Sequence, residues 1–263
     1  MKIIVCIKQV PASNKVEVDP LTGVLKRDSA ESKLNPYDLY ALETALRLRE
    51  EYGGSVVVIT MGPPQSEQII KEAFAMGVDD GILLTDRRFG GADVLATSYA
   101  LSQGITSIGE YDLILCGKQT TDGDTAQVGP EIAEWLNIPS ISNVISIQGA
   151  TDKYIQVTMD MINFVEHSQV RFPCLLAVDK DIYQPRLPSY ILKQKTKDKV
   201  ILRMTLDDMQ DKDAKHYGLN GSPTQVVRIF SPENNIVREI WEGKTADVMT
   251  EDLFNILQSE KFI

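Results

Sequence analysis

The stretch GKQTTDGDTAQVGPEIAEWL, Gly117 to Leu136, sets small and polar residues between an apolar run and a helical pattern. Its polar members include Lys118, Gln119, Thr120, Asp122 and Asp124, and Gly123 and Gly129 let a backbone come close to a ligand. Thr125 offers a hydroxyl and Gln127 an amide, while Ala126 and Val128 add little bulk before the helix. Backbone N–H groups at such a helix start suit a phosphate. Asp122 and Asp124 would repel a bare triphosphate unless one turned to ribose hydroxyls or capped the helix. The chemistry therefore points to a nucleotide, with a glycine-rich helix-capping connection as the plainer alternative. Two more loops end apolar runs: Lys8 to Pro11, and Met61 to Pro64, where Gly62 admits a tight approach and Pro63 stiffens the turn. Three convergent loops make a pocket. Neither GxGxxG nor GxxxxGK[ST] occurs, so an ordinary dinucleotide fingerprint and a P-loop are both unsupported.

No acid–base constellation accompanies these loops. His167 stands beside Glu166 in a strand-like stretch and His216 in a polar tail; no GxSxG elbow or cysteine–histidine cluster exists. Cys6, Cys116 and Cys174 lie in or beside apolar runs and read as buried thiols of a reducing compartment. Redox chemistry by a bound cofactor would need no triad, because the cofactor carries the reaction. The net charge of -10 disfavours nucleic acid, and the basic stretch Lys193 to Lys199 contains Asp198. There is no apolar run of about 18 residues and no secretory pattern, so a cytoplasmic protein without membrane insertion is expected.

The positioning elements follow from pattern. KIIVCIKQV, SVVVITMG, GILLTD, YDLILCG and CLLAVD read as strands; those without alternation predict cover on both faces, as in a parallel sheet. Helices are expected from Asn35-Pro36 onward, over Gln65 to Met76 with Gly77 as its stop, over Ala92 to Gly104 and over Gly129 to Leu136. The alternating stretch from Ile141 to Val170 predicts antiparallel edge strands, and LTGVL a small turn about Gly23. Past Pro185 regularity fades, leaving strand-like VILRM and VVRIF and a last helix from Thr250 to Leu257 with Thr250 as N-cap. The reading is an α/β domain over residues 1–190 and a C-terminal arm over 191–263. Lacking a core of its own, the arm should lie on its own domain or, the favoured reading, on a partner subunit.

VCIKQVP at Val5, LNPYDLYALETAL at Leu34, MGPPQSEQIIKEAFAMGVDDGILLTD at Met61, GKQTTDGDTAQVGP at Gly117 and PRLPSYILKQK at Pro185 together resemble the beta subunit of electron transfer flavoproteins. The resemblance covers nearly the whole chain. It implies an open, mostly parallel sheet of adenine-nucleotide-binding (HUP-like) topology with antiparallel edge strands and an extended arm. It also implies an alpha/beta heterodimer whose alpha subunit holds a redox-active FAD. Simple electron carriers hold AMP in the beta subunit; electron-bifurcating relatives hold a second FAD there that accepts hydride from NADH. DGDTAQVGP is similar to the bifurcating form, so FAD is expected, with AMP as the alternative. Electrons would then pass to ferredoxin or flavodoxin and, through the alpha subunit, to a flavin-containing acyl-CoA or 2-hydroxyacid dehydrogenase. The residues carried over as cofactor-binding are Cys6, Lys8, Pro11 and Asn35, then Met61, Gly62 and Pro63, and in the polar loop Lys118, Gln119, Thr120 and each residue from Asp122 to Gly129. Ala12-Ser13 departs from the family, where an aspartate often follows the proline. The stretch from Pro185 to Lys195 matches one that touches the dehydrogenase.

Overall fold

The computed structural model describes residues 1–12, 32–225 and 240–262. The turn expected about Gly23 and the VVRIF strand lie outside these residues. Two compact units divide the chain, Met1–Val226 and Val227–Ile263.

In the first unit β1 (Lys2–Cys6), β4 (Ser55–Met61), β5 (Asp80–Leu84), β6 (Leu113–Gly117), β7 (Ser140–Ala150), β8 (Tyr154–Asp160), β9 (Val165–Arg171), β10 (Cys174–Val178) and β11 (Leu202–Met204) form one nine-stranded sheet. Its order is β11-β5-β4-β1-β6-β10-β7-β8-β9. Pairing is parallel from β11 through β7 and antiparallel for β7–β8 and β8–β9, so the expected antiparallel edge is present. A short hairpin, β2 (Gln9–Pro11) with β3 (Ser32–Leu34), stands apart from the sheet. The chain leaves the line of β1 after Cys6, so the apolar run from Lys2 to Val10 makes two strands.

Helices α1 (Pro36–Tyr52), α2 (Glu67–Met76), α3 (Val94–Ile108), α4 (Val128–Leu136) and α5 (Tyr190–Lys195) complete the unit. The unbroken apolar runs are explained by two cores. Ile3, Val5, Val56 and Val58 pack with Leu42 and Leu46 of α1 and Phe74 of α2. Their neighbours Ile4, Val57 and Ile59 pack with Ile105 of α3 and Ile132 of α4. Gly77 ends α2 in the left-handed region at φ 115°, as its position suggested.

The segment after Pro185 has more structure than its polar composition suggested. β11 realises VILRM as an edge beside β5, and Met204, Leu206, Met209 and Tyr217 are buried in the second core. Arg186 anchors this segment to α1: its backbone N–H and guanidinium donate to Glu43, and the guanidinium also donates to Glu50. In the second unit α6 (Ala246–Ser259) begins earlier than the expected Thr250. Thr245 holds the N-cap position, and the Thr250 hydroxyl instead donates to Ala246 O.

Candidate functional site

The parallel strands decide where a ligand can sit. After β1 the chain builds β4 and β5 on one side, then returns to add β6 and β10 on the other. The crevice beyond the carboxyl ends of β1 and β6 is thus a topological switch point, the preferred ligand site of open α/β sheets. A cavity of about 1190 Å³ opens there and runs across the ends of β5, β4, β1 and β6. At about 4.8 Å per strand, those four ends span roughly 14 Å.

Of the residues nominated from sequence, all line this cavity except Pro11, Asn35, Asp122 and Asp124. Pro11 lies exposed on the β2–β3 hairpin. Asn35 is fully buried behind the wall, where its Nδ2 donates to Gln119 O at 2.9 Å and holds the polar loop down. Asp122 neither caps α4 nor reaches inward: its Oδ1 accepts from Lys8 Nζ at 2.8 Å and from Gly123 N at 2.8 Å. Burial works to raise its pKa, but Lys8 and the other donors outweigh burial and hold the carboxyl below its usual range. Its charge is thereby neutralised, which removes half of the objection to phosphate. Asp124 turns the loop at φ 51°, a left-handed conformation that aspartate tolerates, and Ala126 does the same at φ 55°.

The backbone donors that could meet a phosphate sit where the loop enters α4. Gln127 makes no side-chain cap, Pro130 carries no N–H, and Glu131 N donates back to Gln127 O. The N–H groups of Val128 and Gly129 have no acceptor within the helix. Lys8 and Lys118 add positive charge, each beside one carboxylate, and Arg87 lines the cavity without an ion pair among the described residues. Cys6 and Cys116 are buried lining residues; burial pushes the Cys6 thiol up to about 12 and raises the Cys116 thiol well above its ordinary value, so both are neutral thiols.

Gly129 has a second role beside its backbone at the cavity: the space a Cβ would take belongs to the sheet, 2.6 Å from Cys116 Sγ. Gly129 lets α4 lie close on β6, and only its backbone borders the cavity. A Cβ on Gly123 would meet nothing closer than Thr120 Oγ1 at 3.8 Å, so space does not require glycine there.

Two features escaped sequence reasoning. Asp38, in the first turn of α1, is buried between the ends of β1 and β6 and lines the cavity; its Oδ2 accepts from Lys8 N at 2.7 Å. Burial pushes its carboxyl up to about 7 against the lowering effect of these hydrogen bonds. Gly117 makes room for it, since a Cβ there would stand 2.6 Å from Asp38 Oδ1. The second omission is the loop from Thr85 to Asp93, which closes the far end of the cavity. Its signal was available: it follows an apolar strand, as the other three loops do, and carries Gly90-Gly91 and the helix cap Asp93. Neither histidine is at the cavity: His167 meets Thr158 and His216 meets Asp211. No group of His, Cys, Asp and Glu able to hold a metal occurs among the described residues.

The electron transfer flavoprotein domain matches residues 22–209. The chain is 44% identical over 251 residues to the electron transfer flavoprotein subunit beta of Thermoanaerobacterium thermosaccharolyticum, covering 95% of each chain. It is 41% identical to the caffeyl-CoA reductase-Etf complex subunit CarD of Acetobacterium woodii, over 100% of both. It is 39% identical to Protein FixA of Azorhizobium caulinodans, over 97% of this chain and 94% of that one.

Proposed function

The chain belongs to the electron transfer flavoprotein family, and from that membership we propose that it is a subunit that binds FAD in the cavity at the switch point and serves an NADH-dependent, electron-bifurcating complex. Its similarity to beta subunits implies an alpha-subunit partner. A bound FAD would supply the redox chemistry, taking hydride from NADH and releasing electrons toward ferredoxin or flavodoxin and, by way of the alpha-subunit FAD, toward an acyl-CoA or 2-hydroxyacid dehydrogenase.

The residues suit such a ligand. The free N–H groups of Val128 and Gly129 would meet the diphosphate, with Thr125 and Gln127 beside them and Lys8 and Lys118 as nearby positive charge. Met61 to Pro63 and Lys8, just before β2, would frame the adenosine. Cys6 and Cys116 give that wall a neutral surface. These groups bind, orient and exclude water; no side chain is assigned a proton transfer. In the same reading residues 1–190 form the nucleotide domain, residues 191–263 form the arm, of which residues 227–263 reach the partner subunit, and the complex works in the cytoplasm.

The observation that carries FAD over AMP is the cavity's reach. The ends of β6, β1 and β4 suffice for a mononucleotide, whereas this cavity continues to the end of β5. The test is flavin and adenine-nucleotide content per alpha/beta heterodimer, with anaerobic NADH titration. Two FAD, one of them reduced directly by NADH, is the expected result. One FAD and one AMP would defeat the proposal and favour the simple carrier.

A further inference from the structure

The loop that closes the far end of the cavity does not hold itself. Its internal bonds are short-range: Phe89 N donates to Asp86 O, and Gly90 N to Arg87 O. The other ties come from the end of β11 and the chain after it. Thr85 N donates to Met204 O, Leu206 N to Asp86 Oδ2 at 3.1 Å, and Leu219 N to Gly90 O at 3.0 Å. Arg88 bridges Asp86 and Asp207. The Phe89 ring packs on Tyr217 at 5.5 Å between centroids. Gly218 lies so close that a Cβ would be 2.1 Å from Arg88 O.

The strongest tie is at Asp93. Its Oδ1 accepts from Ala96 N and caps α3, while its Oδ2 accepts from Thr224 N at 3.1 Å and Thr224 Oγ1 at 2.8 Å. Its own N–H donates to Ser222 Oγ at 2.8 Å. Asp93 lines the cavity; Ser222 and Thr224 do not. One residue thus joins the start of α3, the cavity wall and a segment distant in sequence. With Gly90 and Gly91 adjacent, the wall has little stiffness of its own.

We infer that the segment from Met204 to Thr224 is a clasp that positions the Thr85–Asp93 wall, and that Ser222 and Thr224 are positioning residues deciding whether the cavity holds a ligand longer than a mononucleotide. The inference rests on the nucleotide reading above. Only a ligand extending from the β6 loop to the end of β5 meets this wall, so loosening the clasp should weaken FAD while sparing AMP.

The test uses the full chain co-expressed with its alpha subunit and measures the affinity of the beta-subunit site for FAD and, separately, for AMP. Thr224→Val removes one hydroxyl from an exposed position and carries little risk to folding. It should weaken FAD roughly three- to tenfold, the range for loss of one partly solvated hydrogen bond to a carboxylate, and leave AMP within about twofold. Thr224→Ser, which keeps the hydroxyl, should restore FAD binding. Ser222→Ala should weaken FAD in the same selective way, and amide exchange at Gly90 to Val94 should quicken in both loosened variants. Equal weakening of FAD and AMP, or no change in either, would overturn the clasp. A wild-type heterodimer whose beta-subunit site binds neither nucleotide would instead sink the nucleotide reading, and the clasp's role in specificity with it.

Discussion

Asp38 is ionisable, buried and set between two strand ends. In the unfolded chain it titrates near 3.8, whereas burial pushes it up to about 7 in the fold. Between those values the folded state keeps a proton that the unfolded state has lost. Its contribution to stability is therefore fully present below the unfolded value, falls as pH rises from about 4 to about 7, and is level above, a total on the order of a few kcal/mol. Asp38→Asn keeps an oxygen to accept from Lys8 N and cannot ionise. Stability against urea, followed from pH 4.5 to 8, should decline less in the variant than in the wild type. Parallel curves would show that Asp38 is not held protonated. Gly129 makes a second residue-scale case. Gly129→Ala drives a methyl against Cys116 Sγ and should cost about 1–3 kcal/mol by overpacking. Cys116→Ala removes the obstructing sulfur, so the double variant should be less destabilised than the sum of the singles. Additive losses in a double-mutant cycle would place the strain elsewhere.

At the scale of elements, the stretch around α5 presents apolar side chains outward. Leu187 is 88% exposed and Tyr190 74%, so neither supports the core. What fixes this stretch is Arg186 on Glu43, whose side chain is only 2% exposed. An outward apolar patch on a well-anchored segment suits a docking anchor with a polar rim supplied by Lys193 and Lys195. Leu187→Ala with Tyr190→Ala should leave thermal stability nearly unchanged, spare NADH oxidation by an artificial acceptor, and reduce electron delivery to the dehydrogenase. Loss of both activities together would assign the patch to assembly with the alpha subunit instead.

For the whole molecule, among the described residues the two cores draw only on the first unit, none beyond Tyr217. The second unit has α6 with no buried residue, and Val248, Leu253, Phe254 and Ile256 are all substantially exposed. Such a face needs cover, and the alpha subunit is the natural source in this family. Deleting residues 227–263 should shift the melting midpoint of the lone chain by no more than about 2 °C, a change expected when no core is lost. It should also abolish or severely weaken the 1:1 complex, read by light scattering after co-expression. An intact complex formed by the shortened chain would rule out the arm as the main contact.

The sequence by itself determined the kind of sheet and the position of three of the loops around the cavity. Runs such as VVVIT at Val56 lack alternation because both faces are covered, and that requirement is written residue by residue. Strand ends and helix starts are local events too, so the loop from Lys118 to Gln127 was legible as a candidate ligand loop, and it does line the cavity. Only the tertiary structure decided what the loops touch. Asp122 pairs with Lys8 across 114 positions, and Thr224 with Asp93 across 131. Nothing in local spacing encodes such partners, because they depend on which strands become neighbours and at which register. The same reason gave Gly129 a packing contact toward Cys116 that its sequence position did not disclose, and revealed in a polar tail a segment that buries Tyr217 and is bonded to the cavity wall. Periodicity reports the environment a residue needs, and the folded chain alone supplies the particular atoms that meet that need.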